Sequence, residues 1–345
     1  MSRIVDCERH VAVLRLEDLY PYMSSDWVDR FRRTGFLLPA PERHPGGSVD
    51  KSTGARWTDF ETISEDPDVG LTICVPHQAI PTAGWCETYL TAIYASALNA
   101  YFLDRGLPKS PDIRYALAIS PHEPEMAVDE IARHASNPLV AAIVMPLVGI
   151  NMGQRHYRPI LKAAARHKLP VIVHPSGYEG NVPGTPLLGG VGPRFEGEYD
   201  CLISQVAAIN IASLVYDGAF VDLPDLTVIF SGVGYEWLPP FIWRADSEWR
   251  NLRIDIPWVT KPPSAYIADN VRVMVDPIDV VPPEMMGAIF KGIPETTLIY
   301  GSNRPFNRAA GADVIRAFPE EVRDKVAFAN AAATFRGLVE VTERV

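Results

Sequence analysis

The chain has 345 residues, 47% of them hydrophobic and 21% charged, an ordinary balance for a globular protein with one large core. Its formal net charge of −10, with no window dense in Lys and Arg, argues against a nucleic-acid partner and leaves small-molecule chemistry as the expectation.

At the N-terminus, MSRIVDCERHVAV returns to charged residues directly behind Arg3, so no secretory signal is expected and the cytoplasm is the expected compartment. Short apolar runs predict strands at 3–7, 69–75, 113–119, 139–147, 170–174, 226–231, 271–276 and 297–301. Most of these runs are continuous rather than alternating, as in strands covered on both faces. Between them lie helical periods, clearest in YLTAIYASALNAYFLDRG, where Leu90, Ile93, Tyr94, Ala97, Leu98, Tyr101 and Phe102 share one face and Gly106 ends the run. The most apolar long segment, 202–220, is broken by Ser204, Gln205, Asn210 and Ser213, which predicts a buried helix and no membrane partner. Cys7, Cys74, Cys86 and Cys201 form no C-x-x-C pair and are expected to be reduced, mostly core-filling thiols.

Eight βα repeats over this length predict an α/β fold, a (β/α)8 TIM barrel forming a single domain over 1–345 with a C-terminal helix. A doubly wound open sheet is the alternative, and no G-x-G-x-x-G follows the first strand to support it. Three excursions rich in Gly, Pro and charge, at about 37–60, 178–200 and 251–269, are expected as inserted loops; exposed Trp and Pro in the third suggest a homodimer contact or a lid. Arg244 and Asp246 of the WRAD segment are expected to be structural.

Barrel enzymes gather their chemistry at the C-terminal ends of the strands. That rule selects Glu8 and His10 after the first strand, His77 after the second, His122 after the third and His174 after the fifth. Glu8 and His10 are two apart and so share one face of a strand, where an inward charged pair is costly to bury without a partner or a metal. His44, His134, His156 and His167 are expected at the surface.

The chain resembles the amidohydrolase superfamily, in its aminocarboxymuconate semialdehyde decarboxylase-like branch. The residues that carry this are IVDCERH, MPLVGINMGQRHYRPILKAAARHKLPVIVH, GYEWLPPFIWRADSEWRNLRIDIPWVTKPPSAYI, IYGSNRP and KVAFANAAATF. The resemblance implies a hydrolase or decarboxylase acting on a small carboxylated or aromatic molecule. It places the family's D/E-x-H pattern on Glu8 and His10 and its fifth-strand histidine on His174, as ligands of one divalent metal, zinc first, with manganese or iron as alternatives. Two departures stand out. Gly232 occupies the place of the family's strand-six His or Glu, and Asn303 and Phe306 replace the Asp and His of its strand-eight pattern.

An asparagine donates and accepts hydrogen bonds but takes up no proton at neutral pH, so Asn303 can position a ligand and cannot serve as a general base. A replacement must come from the barrel mouth, with His77 the first choice and Asp276 the second. Arg304 is a candidate clamp for a substrate carboxylate, with His122, Tyr178 and Tyr235 as further substrate contacts. If no metal binds, the expected alternatives are a metal-independent lyase or hydrolase, drawing also on Glu236, or a non-catalytic ligand-binding barrel.

Overall fold

The computed structural model describes residues 4–39, 66–107, 110–176, 196–275, 281–307, 309–336 and 338. Among these, eight strands form one parallel sheet in sequential order: β1 (Ile4–Val11), β2 (Val69–Pro76), β3 (Ile113–Ala118), β4 (Val140–Pro146), β5 (Val171–His174), β6 (Val228–Phe230), β7 (Val271–Val275) and β8 (Leu298–Tyr300). Each expected strand is present, with ends differing mostly by a residue or two. The sequential order excludes the doubly wound alternative, whose strand order reverses at a switch point.

The sheet closes through the segment after β8. Asn303 N donates to Glu8 O at 3.1 Å and His10 N donates to Arg304 O at 2.8 Å, so this loop runs beside β1 as an eighth pairing after the seven between consecutive strands. Ser302 strengthens the seam: its N–H donates to Asp6 Oδ1 at 2.8 Å and its hydroxyl to Glu8 O at 3.1 Å. Burial pushes the Asp6 carboxyl above the usual carboxylate range, against the opposing pull of its bonds from Ser302 and Glu8.

Two apolar layers follow from period-two alternation. The barrel interior takes Val5, Cys7, Ile73, Ala116, Val144, Ile172, Ile229, Met274 and Ile299, with Phe335 and Leu338 joining them. Outward-facing residues such as Tyr115, Ile143, Val173, Phe230 and Tyr300 pack under the helices. The helix Glu196–Tyr216 covers the sheet through Ala207, Ile211 and Leu214, all fully buried. Its length and apolar character would suit a bilayer span by composition, yet this face is spent on the barrel.

β1 breaks the alternation. Asp6 pairs with Thr72 and Arg9 with Cys74, so Cys7 and Glu8 together stand opposite Ile73. Such a bulge, with two residues against one, reverses which side chains face inward beyond it. Val5 and Cys7 point into the core, and a regular strand would then turn Glu8 and His10 toward the helices. The bulge turns them into the barrel instead. β1 was expected to end at Cys7; it continues to Val11, because Glu8 to Val11 still find ladder partners in β2 and in the segment after β8.

Several expectations need correction. The 178–200 excursion is shorter than expected, since its last residues open the helix Glu196–Tyr216, and residues 177–195 lie outside those described. Most of the 37–60 excursion lies outside them too. The 251–269 stretch is ordered by tryptophan: Trp258 Nε1 donates to Tyr216 O and Trp249 Nε1 to Val259 O, each at 2.8 Å, before the helix Pro263–Asn270 begins. Arg244 pairs with Glu248, and Asp246 accepts from Ser264 N, so WRAD is structural as expected. Cys7 and Cys74 fill core, whereas Cys86 and Cys201 are exposed. His134 and His156 are half-buried rather than superficial, held by Glu130 and by the Pro121 carbonyl.

Candidate active site

A cavity of about 180 Å³ opens at the C-terminal end of the barrel, lined by His10, His77 and His174 on its floor and Phe306, Ile80 and Ile203 among its walls. Glu8 lies just beneath, 2% exposed. One ligand atom from each of Glu8, His10 and His174 lies within 4.8 Å of the others. His10 Nε2 is 3.9 Å from Glu8 Oε1, and His174 Nε2 is 3.5 Å from the same oxygen. The ring centroids of His77 and Phe306 lie 4.8 Å and 5.4 Å from that of His10.

Each position has a local cause. The β1 bulge aims Glu8 and His10 inward. His174 ends β5, where Pro175 stops the strand and its carbonyl takes a hydrogen bond from the imidazole Nδ1 at 2.6 Å. After β6 the turn Ser231–Gly234 leaves the cavity wall free of side chains at two points, Gly232 (φ 63°) and Gly234 (φ 66°), both in the left-handed region where glycine costs least. Asn303 also sits in that region, with φ 50°, and asparagine is among the few other residues that tolerate it. Its Oδ1 comes to 3.2 Å from His10 Nε2.

The protonation pattern fits a cation. With the His174 Nδ1 proton donated to Pro175 O, its Nε2 presents a lone pair to the Glu8 carboxylate at 3.5 Å. Two acceptors at that distance repel unless a proton or a cation lies between them. A proton carried by His174 itself is disfavoured there, because burial pulls its imidazole down to about 4. Burial and the neighbouring His77 and His174 likewise hold His10 well below its ordinary value. Two neutral imidazoles and one carboxylate are a sufficient donor set for a divalent metal, and Asn303 Oδ1 adds a neutral oxygen at the rim. These residues fit the group that the resemblance implies.

Other candidates lie elsewhere. Of the four strand-end histidines, His122 alone stays outside the cavity lining; its Nε2 bonds the Ala83 carbonyl at 3.1 Å. Tyr235 is fully buried, packed on Phe290 and Phe318, and Trp237 ties down its own turn through the Val233 and Gly234 carbonyls. Glu236, beside Tyr235, does line the cavity. Tyr178 and Asp276 lie outside the described residues.

Arg304 turns away from the cavity to Asp66, 3.3 Å from Nη2 to Oδ2, while Asp66 also accepts from Gly311 N at 2.8 Å. This nearly buried carboxylate thereby anchors both ends of the loop that carries Asn303 and Phe306. Asp66→Ala is expected to cost about 2–3 kcal/mol in chemical denaturation, since it strands a guanidinium and a buried amide at once. A loss below about 0.5 kcal/mol would show that the clamp is idle.

Sequence reasoning missed Ser231, Ser176, Tyr199 and Asp200. Ser231 follows β6 and was within reach of the strand-end rule, but a lone hydroxyl gives little signal beside histidines. Tyr199 and Asp200 enter the cavity from a helix whose first turn read as loop.

Barrel, mouth and donor set together define a (β/α)8 protein with a two-histidine, one-carboxylate centre. The chain belongs to the amidohydrolase family, whose profile matches residues 75–337. Glu8 and His10 precede that match, so their place in the site rests on the coordinates. Among solved structures, the chain is similar to 5-carboxyvanillate decarboxylase of Novosphingobium aromaticivorans, complexed with manganese and 4-hydroxy-3-methoxy-5-nitrobenzoic acid (18% identity, TM-score 0.69, 96% of this chain and 95% of that one). It is also similar to dihydroxybenzoic acid decarboxylase of Polaromonas sp. JS666, with manganese and 2-nitroresorcinol (17% identity, TM-score 0.65, 97% of each chain). A third likeness is an amidohydrolase of Mycobacterium avium subsp. paratuberculosis (15% identity, TM-score 0.70, 99% of this chain and 97% of that one). At such identities these likenesses establish the shared fold. No curated protein matches the sequence.

Proposed function

We propose that this protein is a metal-dependent decarboxylase of small aromatic carboxylates. The observation that carries the reading is the convergence of Glu8, His10 and His174 on one point at the floor of a cavity sized for a single ring. The manganese in two fold neighbours, both decarboxylases, shifts the expected ion from zinc to manganese.

When bound, the ion supplies Lewis-acid stabilisation of negative charge on a substrate carboxylate or phenolate. Glu8, His10 and His174 would hold it. Asn303 orients substrate or water by hydrogen bonding, and it leaves proton transfer to another group. His77 has the right place for that task, buried against His10 and Phe306 at the cavity wall. In decarboxylation the ring carbon takes a proton, the carbon–carbon bond breaks with its electron pair returning to the ring, and carbon dioxide leaves. This sequence asks for a proton donor near the ring, and a histidine serves. Hydrolysis asks for a base on the attacking water at β8, where this chain has an amide. Ile80, Ile203, Val233 and Phe306 give the ring its apolar surroundings.

The test is elemental analysis of protein purified without chelator, followed by carbon dioxide release from hydroxybenzoates by manganese-loaded enzyme. One ion per chain and release that depends on it are expected; protein that neither holds an ion nor turns over any such substrate would overturn the reading. Asn303→Asp is expected to tighten manganese binding on the order of tenfold, about 1.4 kcal/mol, by adding a charge beside His10. Titration calorimetry reads this directly, and weaker binding would show that the loop is not aimed at the ion.

A further inference from the structure

Glu8 is the one carboxylate of the centre, and two groups from other strands bear on its side chain. Ser231, fully buried just after β6, donates its hydroxyl to Glu8 Oε1 at 2.5 Å. This is the same oxygen that faces His10 and His174. On another side lies Gly301, directly after β8. A Cβ there would stand 3.1 Å from Glu8 Cβ, 3.6 Å from Glu8 Oε2 and 3.3 Å from Met274 Sδ. The contacts at 3.1 Å and 3.3 Å are tighter than ordinary packing, so an alanine would make the glutamate stem or Met274 give by a few tenths of an ångström, and Met274, fully enclosed in the barrel core, has little room to do so.

We infer that Ser231 and Gly301 are positioning residues that fix the Glu8 carboxylate for ion binding, an inference that rests on the metal reading above. A free glutamate side chain has three rotatable bonds and loses much of its affinity to ordering. Here the hydroxyl sets where Oε1 points, and the bare backbone of Gly301 leaves room for that rotamer. Ser231 also orients the carboxylate without neutralising it, since a serine hydroxyl gives up no proton at working pH. Groups bonded to metal ligands in this way change affinity by about ten- to a hundredfold when removed.

Calorimetric titration of chelator-stripped, full-length protein with manganese tests this. Ser231→Ala is expected to weaken binding by about ten- to a hundredfold, with the melting temperature of the stripped protein within a few degrees of wild type. Ser231→Thr, which keeps the hydroxyl, is expected to bind within about threefold of wild type. Gly301→Ala is expected to weaken binding by at least about tenfold. Ser231→Ala binding as tightly as wild type, or Ser231→Thr binding as weakly as Ser231→Ala, overturns the role of Ser231. Unchanged affinity in Gly301→Ala overturns that of Gly301. Wild-type protein that takes up no manganese removes the metal reading itself, an outcome distinct from a wild type that binds and variants that bind equally well.

Discussion

Glu8→Ala is expected to abolish manganese uptake and to lower kcat/KM by at least about a thousandfold while the circular dichroism spectrum stays native. The size follows from what is lost. Without Glu8 the centre keeps two neutral imidazoles and an amide oxygen, and no negative charge offsets a divalent ion. The fold survives because the removed group lies against the cavity and contributes little to the layers of the core; taking it away also relieves the repulsion between its oxygen and His174 Nε2. His174→Ala is expected to give the same two losses. Full activity in both variants would end the site assignment.

A second large effect is a pH dependence of stability in chelator-stripped protein. The His174 imidazole has its ordinary value of 6.5 in the unfolded chain and about 4 in the folded one, through burial. Between these values the unfolded chain binds more protons, so the free energy of unfolding rises with pH across this window. The stabilisation is complete above about pH 6.5 and is lost as pH falls toward 4. The drop corresponds to roughly 3 kcal/mol, a ceiling because the ring keeps some exposure to the cavity. His10, depressed further by burial and by its neighbours, pushes in the same direction. Urea denaturation at pH 7 and pH 4.5 measures the difference, and His174→Asn should remove the His174 share of it while the His10 share remains. An unchanged difference in that variant would mean that other groups set the acid limit. Protons and metal compete for the same lone pairs, so manganese affinity should weaken over the same range.

Strand positions were legible in the sequence because parallel strands buried on both faces leave continuous apolar runs, and each of the eight was found in this way. His77 and His174 were legible for a related reason: each ends such a run, and the fold dictates that strand ends meet at one mouth. The inward aim of Glu8 and His10 was only half legible. Their spacing of two places them on one face, but which face depends on the bulge, and neither Cys7 nor Glu8 carries a signature of it. Arg304 misled because a guanidinium beside Asn303 suggests a carboxylate ligand, whereas its partner is Asp66, 238 residues away in sequence. His122 misled in the same way, since a backbone carbonyl from a distant turn leaves no trace in composition. Residues such as Ser231 and Gly301 act by a single hydroxyl and by a missing methyl, and both kinds of signal appear only with coordinates.

The bulge in β1 also bears on engineering. Copying E-x-H at its native spacing onto an uninterrupted strand whose preceding residues match Val5 and Cys7 would present the carboxylate and imidazole to the outer helices, where a charged and a polar group would be buried without partners. Any transplant of this centre must therefore carry the extra residue along with the ligands.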